Sequence, residues 1–383
     1  MLSILGILIF LLPLALSSFN SVESDTVLSA LYFVLLLVFS TLWIMFKGLS
    51  LEKLRPIKYP LIFFIASLFL AMVFPTGQSQ NLREICKYAI GLILFILIAP
   101  LSEEEKGKLA PEIVLTALLI SFLAIFQYFF GFQLLLNYVK ETKIVDFFVL
   151  EKIVERRVFF PFPTPAILGG YLAMILPLTL SPKKKILFLL PLGLALLLTK
   201  SLGALLSLAI VFMAFFLMRA HSRLKKALAL LALGMILGCL FAVRADNPRQ
   251  HLLPIFSMVS RFHYWKDTWE IIRAHPLTGV GLGNFDLAGS RYAHNSFLQL
   301  WAETGIVTVV SFLWLIVIIL KNSWKLSERK LTTGLVAGIC VFLVHNLMDF
   351  SLFLPAVSSI WWIMLGLLYL PTRQGEKKHS SEI

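Results

Sequence analysis

Twelve apolar stretches, each about the length that crosses a bilayer, limit what this chain can fold into. They cover residues 2–18, 26–46, 59–75, 84–100, 112–130, 161–180, 186–199, 202–218, 227–243, 304–320, 331–348 and 354–370. Crossing about 30 Å of hydrocarbon takes about 20 apolar residues in a helix, which satisfies its own backbone polar groups where water is absent. The expected fold is therefore an all-α polytopic membrane protein of about twelve transmembrane helices. The seventh stretch is short and stops at Lys200, so the seventh and eighth also read as one broken hairpin. Hydrophobic residues make up 59% of the chain and charged residues 14%, so 1–383 reads as one transmembrane domain. The first stretch lacks the basic region of a signal peptide and a second span follows closely; it is read as a retained helix.

The net charge of +13 invites a nucleic-acid reading, which the distribution of charge removes. With the N-terminus inside, the inner loops 47–58, 101–110, 181–185, 219–226 and 321–330 and the tail from Pro371 hold more than half of the 34 Lys and Arg. Basic residues concentrate in short cytoplasmic loops of membrane proteins. Both termini are thus expected in the cytoplasm, and no nucleic-acid partner is implied. Cys86, Cys239 and Cys340 lie in apolar stretches. Their odd number and spacing suggest neither a disulfide framework nor a thiolate metal site.

Two expected outer segments exceed turn length: Gly131 to Phe160, and Arg244 to about Thr304. The second, taken as 244–303, is inserted between the ninth and tenth spans and holds most of the reactive side chains. Within it Met258, Phe262, Trp265, Trp269 and Ile272 recur at helical spacing and predict an amphipathic surface helix. Arg261 and Arg273 border that stripe; Asp267, Glu270 and His263 lie opposite. Both arginines would face lipid phosphates, and snorkelling to head groups is the preferred reading for Arg273. For Arg261, anchor and binding group stand level. The alternating glycines of Gly279-Val280-Gly281-Leu282-Gly283 read as a tight turn. They are no dinucleotide fingerprint, because position 284 is Asn and no βαβ unit surrounds it.

His294 precedes an expected helix start, with Ser296 and Gln299 as a capping box. The helix dipole would disfavour imidazolium there, leaving a neutral ring able to take a proton. The same helix N-terminus could hold phosphate, and a lone interfacial histidine can also be a polar anchor. Glu303, two turns further on, needs an ion-pair partner or water in the outer leaflet. His345, Asn346 and Asp349 read as structural polar contacts.

Three segments resemble the O-antigen ligase family, whose superfamily includes O-antigen polymerases: Arg261-Phe262-His263-Tyr264-Trp265, His275 through Phe285, and His294-Asn295-Ser296-Phe297-Leu298-Gln299 with Glu303-Thr304-Gly305. Arg157-Val158 with Phe162 and Pro165, and the late patch from His345 to Asp349, are similar to further family elements. The resemblance implies a metal-independent, inverting glycan transfer without cofactor at the periplasmic face of the inner membrane. The donor would be a glycan on undecaprenyl pyrophosphate. The acceptor would be a lipid A-core sugar or, in a polymerase, another repeat unit. His294 would be the catalytic base, and Arg157 and Arg261 would bind pyrophosphate through planar, permanently charged forks. Arg291, Asn295, Glu303, Tyr264 and Asp349 are further site candidates. A transporter would carry mid-span charge, which these stretches nearly lack. An envelope scaffold would leave the His294 segment unexplained.

Overall fold

A computed structural model describes residues 1–17, 26–73, 81–142, 150, 153–180, 185–227, 230, 231, 234, 235, 238, 254–287, 290–324 and 330–370. Among them the regular structure is helical. In chain order the helices are α1 (Leu2–Leu16), α2 (Thr26–Lys47), α3 (Lys58–Val73), α4 (Asn81–Ile98), α5 (Glu103–Phe126), α6 (Phe132–Thr142) and α7 (Pro165–Ile175). They continue as α8 (Lys185–Leu198), α9 (Leu202–Arg219), α10 (Pro254–Ala274), α11 (Ser296–Thr304), α12 (Ile306–Trp324), α13 (Lys330–His345) and α14 (Pro355–Leu368). Five helical stretches are long and apolar enough to cross a membrane, and a further group of shorter helices is apolar as well. The seventh and eighth expected spans are separate helices, α8 and α9, joined through Lys200. The expected ninth span, 227–243, lies largely outside the described residues.

Every residue of α14 is buried, so this helix runs through the middle of the bundle against α4, α1 and α13. A helix apolar on all sides belongs there. Its Trp362 ring lies 5.7 Å from Phe95 and 5.9 Å from Phe64. On α4, Gly91 makes room for it: a Cβ at that position would sit 2.2 Å from the indole, and small residues let membrane helices approach closely. Helices α2 and α3 instead leave Leu35, Val38, Phe63 and Phe69 exposed, as a lipid-facing layer would.

The outer segment expected to begin as a loop at Gly131 begins as helix. Helix α5 passes through a π-turn over Gln127–Gly131 into α6, giving one continuous helical run of 39 residues. At 1.5 Å per residue it is about 58 Å long, nearly twice the hydrocarbon thickness. Gly131 does not end the helix because the wider π-turn accommodates it, beside the Gln127 side chain.

Beyond the bundle, α10, the glycine-rich segment and α11 share a small apolar core of Ile272, Phe285, Leu287, Ala293 and Ala302. The glycines do more than turn the chain. Val280 N–H donates to the Ala302 carbonyl and Gly281 N–H to the Glu303 carbonyl, each at 2.9 Å, and Ile306 N–H donates to the Pro276 carbonyl at 3.1 Å. Gly279 (φ 69°) and Gly305 (φ 80°) stand where this backbone contact is tightest. A Cβ at Gly279 would lie 2.3 Å from the Glu303 carbonyl carbon, and at Gly305 1.8 Å from the Leu277 oxygen. Only glycine permits both the approach and the left-handed conformation.

Candidate active site

His294 lies between two aromatic walls. Its ring stacks on Tyr264 of α10 at 5.8 Å and meets Phe350 edge-on at 5.1 Å, while Phe350 stacks on Tyr292 at 4.0 Å. The backbone holds His294 at φ 52°, a left-handed conformation that costs a β-carbon residue of order 1–3 kcal/mol. Among the described residues neither ring nitrogen has a hydrogen-bond partner. The imidazole is thus fixed by its faces and its nitrogens are left for a ligand. Burial lowers its pKa below the ordinary 6.5; Asp349 opposes the shift and Arg261 reinforces it. The expectation of a neutral ring therefore rests chiefly on desolvation.

The capping expectation is corrected by one residue. Asn295 is the N-cap, and its Oδ1 accepts from Phe297 N–H and Leu298 N–H, both at 3.1 Å. Ser296 turns inward: its hydroxyl donates to Asn346 Oδ1 at 2.7 Å and its N–H to the Asn346 carbonyl at 2.9 Å. With these three amides engaged, the first turn of α11 has no free donor there for a phosphate. Gln299 reaches back past the cap, its Oε1 accepting from Ala293 N–H at 3.1 Å while its Nε2 donates to Glu303 Oε1 at 2.8 Å. Gln299 thereby joins Glu303 to the backbone of Ala293 and steadies the residue before His294.

Arg261 and Asp349 complete this group. Helix α10 buries Ile272 and Thr268 and turns Arg261, Tyr264 and Trp265 partly inward, leaving Phe262 and Trp269 exposed. The expected stripe is thus split: Phe262 and Trp269 face out, and Ile272 faces in. Arg261 Nε donates to the Met348 carbonyl at 3.1 Å. Burial lowers its pKa somewhat, with Asp349 opposing. Arg273 instead lies 5.8 Å from the Trp269 ring on the exposed side. Asp349 Oδ1 accepts from Phe350 N–H and the Ser351 hydroxyl, each at 2.7 Å. Its Oδ2 lies 3.5 Å from His345 Nε2, an ion-pair approach too long for a good hydrogen bond. Burial alone would raise the Asp349 pKa, but His345, Ser351 and His294 together hold it at about 2. His345 itself is wedged into α7, where a Cβ on Gly170 would come within 2.4 Å of its ring.

The other candidates fall into two neighbouring groups. Arg291 Nη2 lies 3.3 Å from Glu84 Oε1 on α4. Glu84 and Lys87 form a buried pair at 2.6 Å, close to buried Glu303. Arg157 sits apart from His294, donating from Nε to the Thr199 carbonyl at 3.2 Å and approaching Glu155 Oε2 at 3.4 Å. Arg156 stands over the Tyr128 ring at 5.1 Å. The structure therefore brings Arg261, Tyr264, His294 and Asp349 together with the cap Asn295. It places Arg291 and Glu303 in a second cluster and Arg157 in a third. Sequence reading missed Gln127 and Glu84, although each is a polar residue in or beside an apolar stretch, and read Gln299 only as a capping partner of Ser296. No three His, Cys, Asp or Glu side chains meet as a metal site would require among the described residues.

Apolar helices long enough to cross a membrane, with a His–Arg–Asp group where α10, α11 and the α13–α14 connection meet, define a membrane protein with a polar cluster on its connecting segments. A family model described as O-antigen ligase matches residues 186–313. Arg261, Tyr264, Arg291, His294, Asn295 and Glu303 fall inside the matched residues, and Arg157 and Asp349 lie outside them. No curated protein matches the chain.

Proposed function

We propose that the protein transfers a glycan from undecaprenyl pyrophosphate to a sugar hydroxyl of lipid A-core at the periplasmic face of the inner membrane. The observation that carries this reading is His294: an imidazole packed between rings, held in a costly backbone conformation, with unengaged nitrogens beside a guanidinium. The acceptor oxygen attacks the anomeric carbon, its proton passes to the neutral His294 ring, and the glycosidic C–O bond to pyrophosphate breaks. The leaving group departs with the bonding electron pair, and Arg261 and Arg157 take up its charge. Arg suits a pyrophosphate because its fork matches two phosphate oxygens and stays charged. Transfer to another lipid-linked repeat, as a polymerase does, uses the same chemistry.

Deletion followed by lipopolysaccharide gel analysis tests the reaction. Loss of a ligase leaves polymer on its lipid carrier; loss of a polymerase leaves cores bearing at most one repeat. Wild-type protein should restore the pattern and His294→Asn should not; Asn is preferred to Ala because it tolerates the left-handed backbone. Restoration by His294→Asn would remove the base assignment. The sidedness is tested by single cysteines at Glu270 and Asp286, both exposed, in a variant lacking the native three. Labelling by a membrane-impermeant thiol reagent in intact spheroplasts is expected, and labelling only after lysis would overturn it.

A further inference from the structure

The segment that carries Arg157 is a short strap, and its two edges are held by different helices. On one edge Val158 N–H donates to the Leu198 carbonyl and Arg157 Nε to the Thr199 carbonyl, both at 3.2 Å, where α8 gives way to α9. On the other edge the π-turn holds it, with Arg156 over the Tyr128 ring at 5.1 Å and Gln127 on the backbone. Gln127 Oε1 accepts from Phe159 N–H at 2.8 Å and from Phe160 N–H at 3.0 Å. Gln127 is buried, 5% exposed, and opens the π-turn between α5 and α6. π-turns recur at functional sites because the extra residue redirects a side chain that a regular helix would aim elsewhere. Here that side chain takes up two backbone donors which, in an apolar setting, would cost heavily if left unpaired. A glutamine inside Phe126-Gln127-Tyr128-Phe129-Phe130 has no other evident purpose, since leucine would fill the same volume.

We infer that Gln127 is a positioning residue that sets Arg157 for the pyrophosphate of the donor. The inference rests on the proposed role of Arg157. Gln127 touches no substrate; it fixes the two residues that follow Arg157-Val158, and so the direction from which the guanidinium is offered.

The test measures binding of undecaprenyl pyrophosphate, the leaving group of any such donor, to full-length protein in nanodiscs. Gln127→Leu keeps the volume and loses the acceptor; Gln127→Asn is one methylene too short to reach both amides. Both should weaken binding about tenfold, the worth of a hydrogen bond to a charged group. Gln127→Glu keeps an acceptor oxygen in place and should bind like the wild type. Arg157→Lys should weaken binding to a similar extent, and adding Gln127→Leu to it should cost little more. If Arg157→Lys weakens binding and both acceptor-deleting variants leave it unchanged, the inference falls while Arg157 keeps its role. If the two losses multiply in the double variant, Gln127 acts elsewhere and the inference also falls. If Arg157→Lys binds like the wild type, the assignment of Arg157 fails first, and with it the inference. Should Gln127→Leu fail to assemble, Gln127→Asn and Gln127→Glu decide the matter by the same comparison.

Discussion

Two groups of charged residues lie near the same end of the bundle, and they are built on opposite plans. Around Glu84, Lys87 and Glu303 the charges face one another: the Glu84–Lys87 pair is buried on both sides, Gln299 serves one Glu303 oxygen, and Arg291 reaches in from a half-exposed position. Around His294 the charges are spread out. Arg261 Nε donates to the Met348 carbonyl, Asp349 is held by its own turn and by His345, and the imidazole is packed by its faces. The first group resembles a clasp that joins α4 to α11; the second is gathered around a histidine packed between rings. The clasp is not fully satisfied, because Glu303 Oε2 is buried without a hydrogen-bond partner among the described residues; what distinguishes the His294 group is a ring held by aromatic faces in a left-handed backbone.

Four measurements would break or sharpen that contrast. The largest effect is expected at His294: His294→Asn in nanodiscs should lower transfer by about 10²- to 10⁴-fold, the usual worth of a positioned base, with donor affinity nearly unchanged. A loss confined to donor affinity would instead make the ring a pyrophosphate ligand. The clasp should answer in stability. Lys87→Met strands two buried carboxylates and should cost about 3–5 kcal/mol in unfolding experiments; a cost below about 1 kcal/mol would mean that water reaches the cluster.

The third measurement is a pH profile. His294 must be neutral to accept a proton, and its pKa lies below 6.5, so activity should be lost as pH falls through that depressed value and be complete above it. Asp349 stabilises the imidazolium, hence Asp349→Asn should lower the His294 pKa further and shift the acid limb to lower pH. Arg261→Gln should shift it upward. An acid limb that moves the other way in either variant would refute the electrostatic account. The smallest effect is expected at Arg291, whose side chain is 54% exposed: Arg291→Gln should change stability by only about 0.2–1 kcal/mol. Loss of transfer with stability intact would move Arg291 from the clasp to the site.

Much of the architecture was legible because apolar stretches of span length leave a chain few alternatives. The polar cluster was legible in part, since His294, Arg261 and Asn295 stand out against apolar surroundings in the sequence and lie together in the fold. Local offsets were not. In His294-Asn295-Ser296 two successive residues can cap a helix, and the choice fell to Asn295 because Ser296 found a partner fifty residues away on Asn346. The stripe on α10 did not reveal which border faces inward, because that depends on α11 packing against it. The first outer segment was expected to begin at Gly131, because a π-turn has no signature in a single sequence. The pairing of Glu84 with Arg291, across 207 residues, is a tertiary contact that no local spacing encodes.

The backbone contact of the glycine-rich segment with the end of α11 has a mechanical consequence. Three inter-segment hydrogen bonds, with glycine at the two tightest points, weld α10, the glycine segment and α11 into one stiff jaw. If the centre must widen to admit a bulky oligosaccharide, that jaw can tilt only as a unit and would drag His294 with it. The Arg157 strap is anchored on other elements, by Gln127 of the π-turn and by the α8–α9 junction, so it need not follow the jaw. A spin-label pair across Arg157 and His294 would then report gating as displacement of the strap, with distances inside the jaw unchanged.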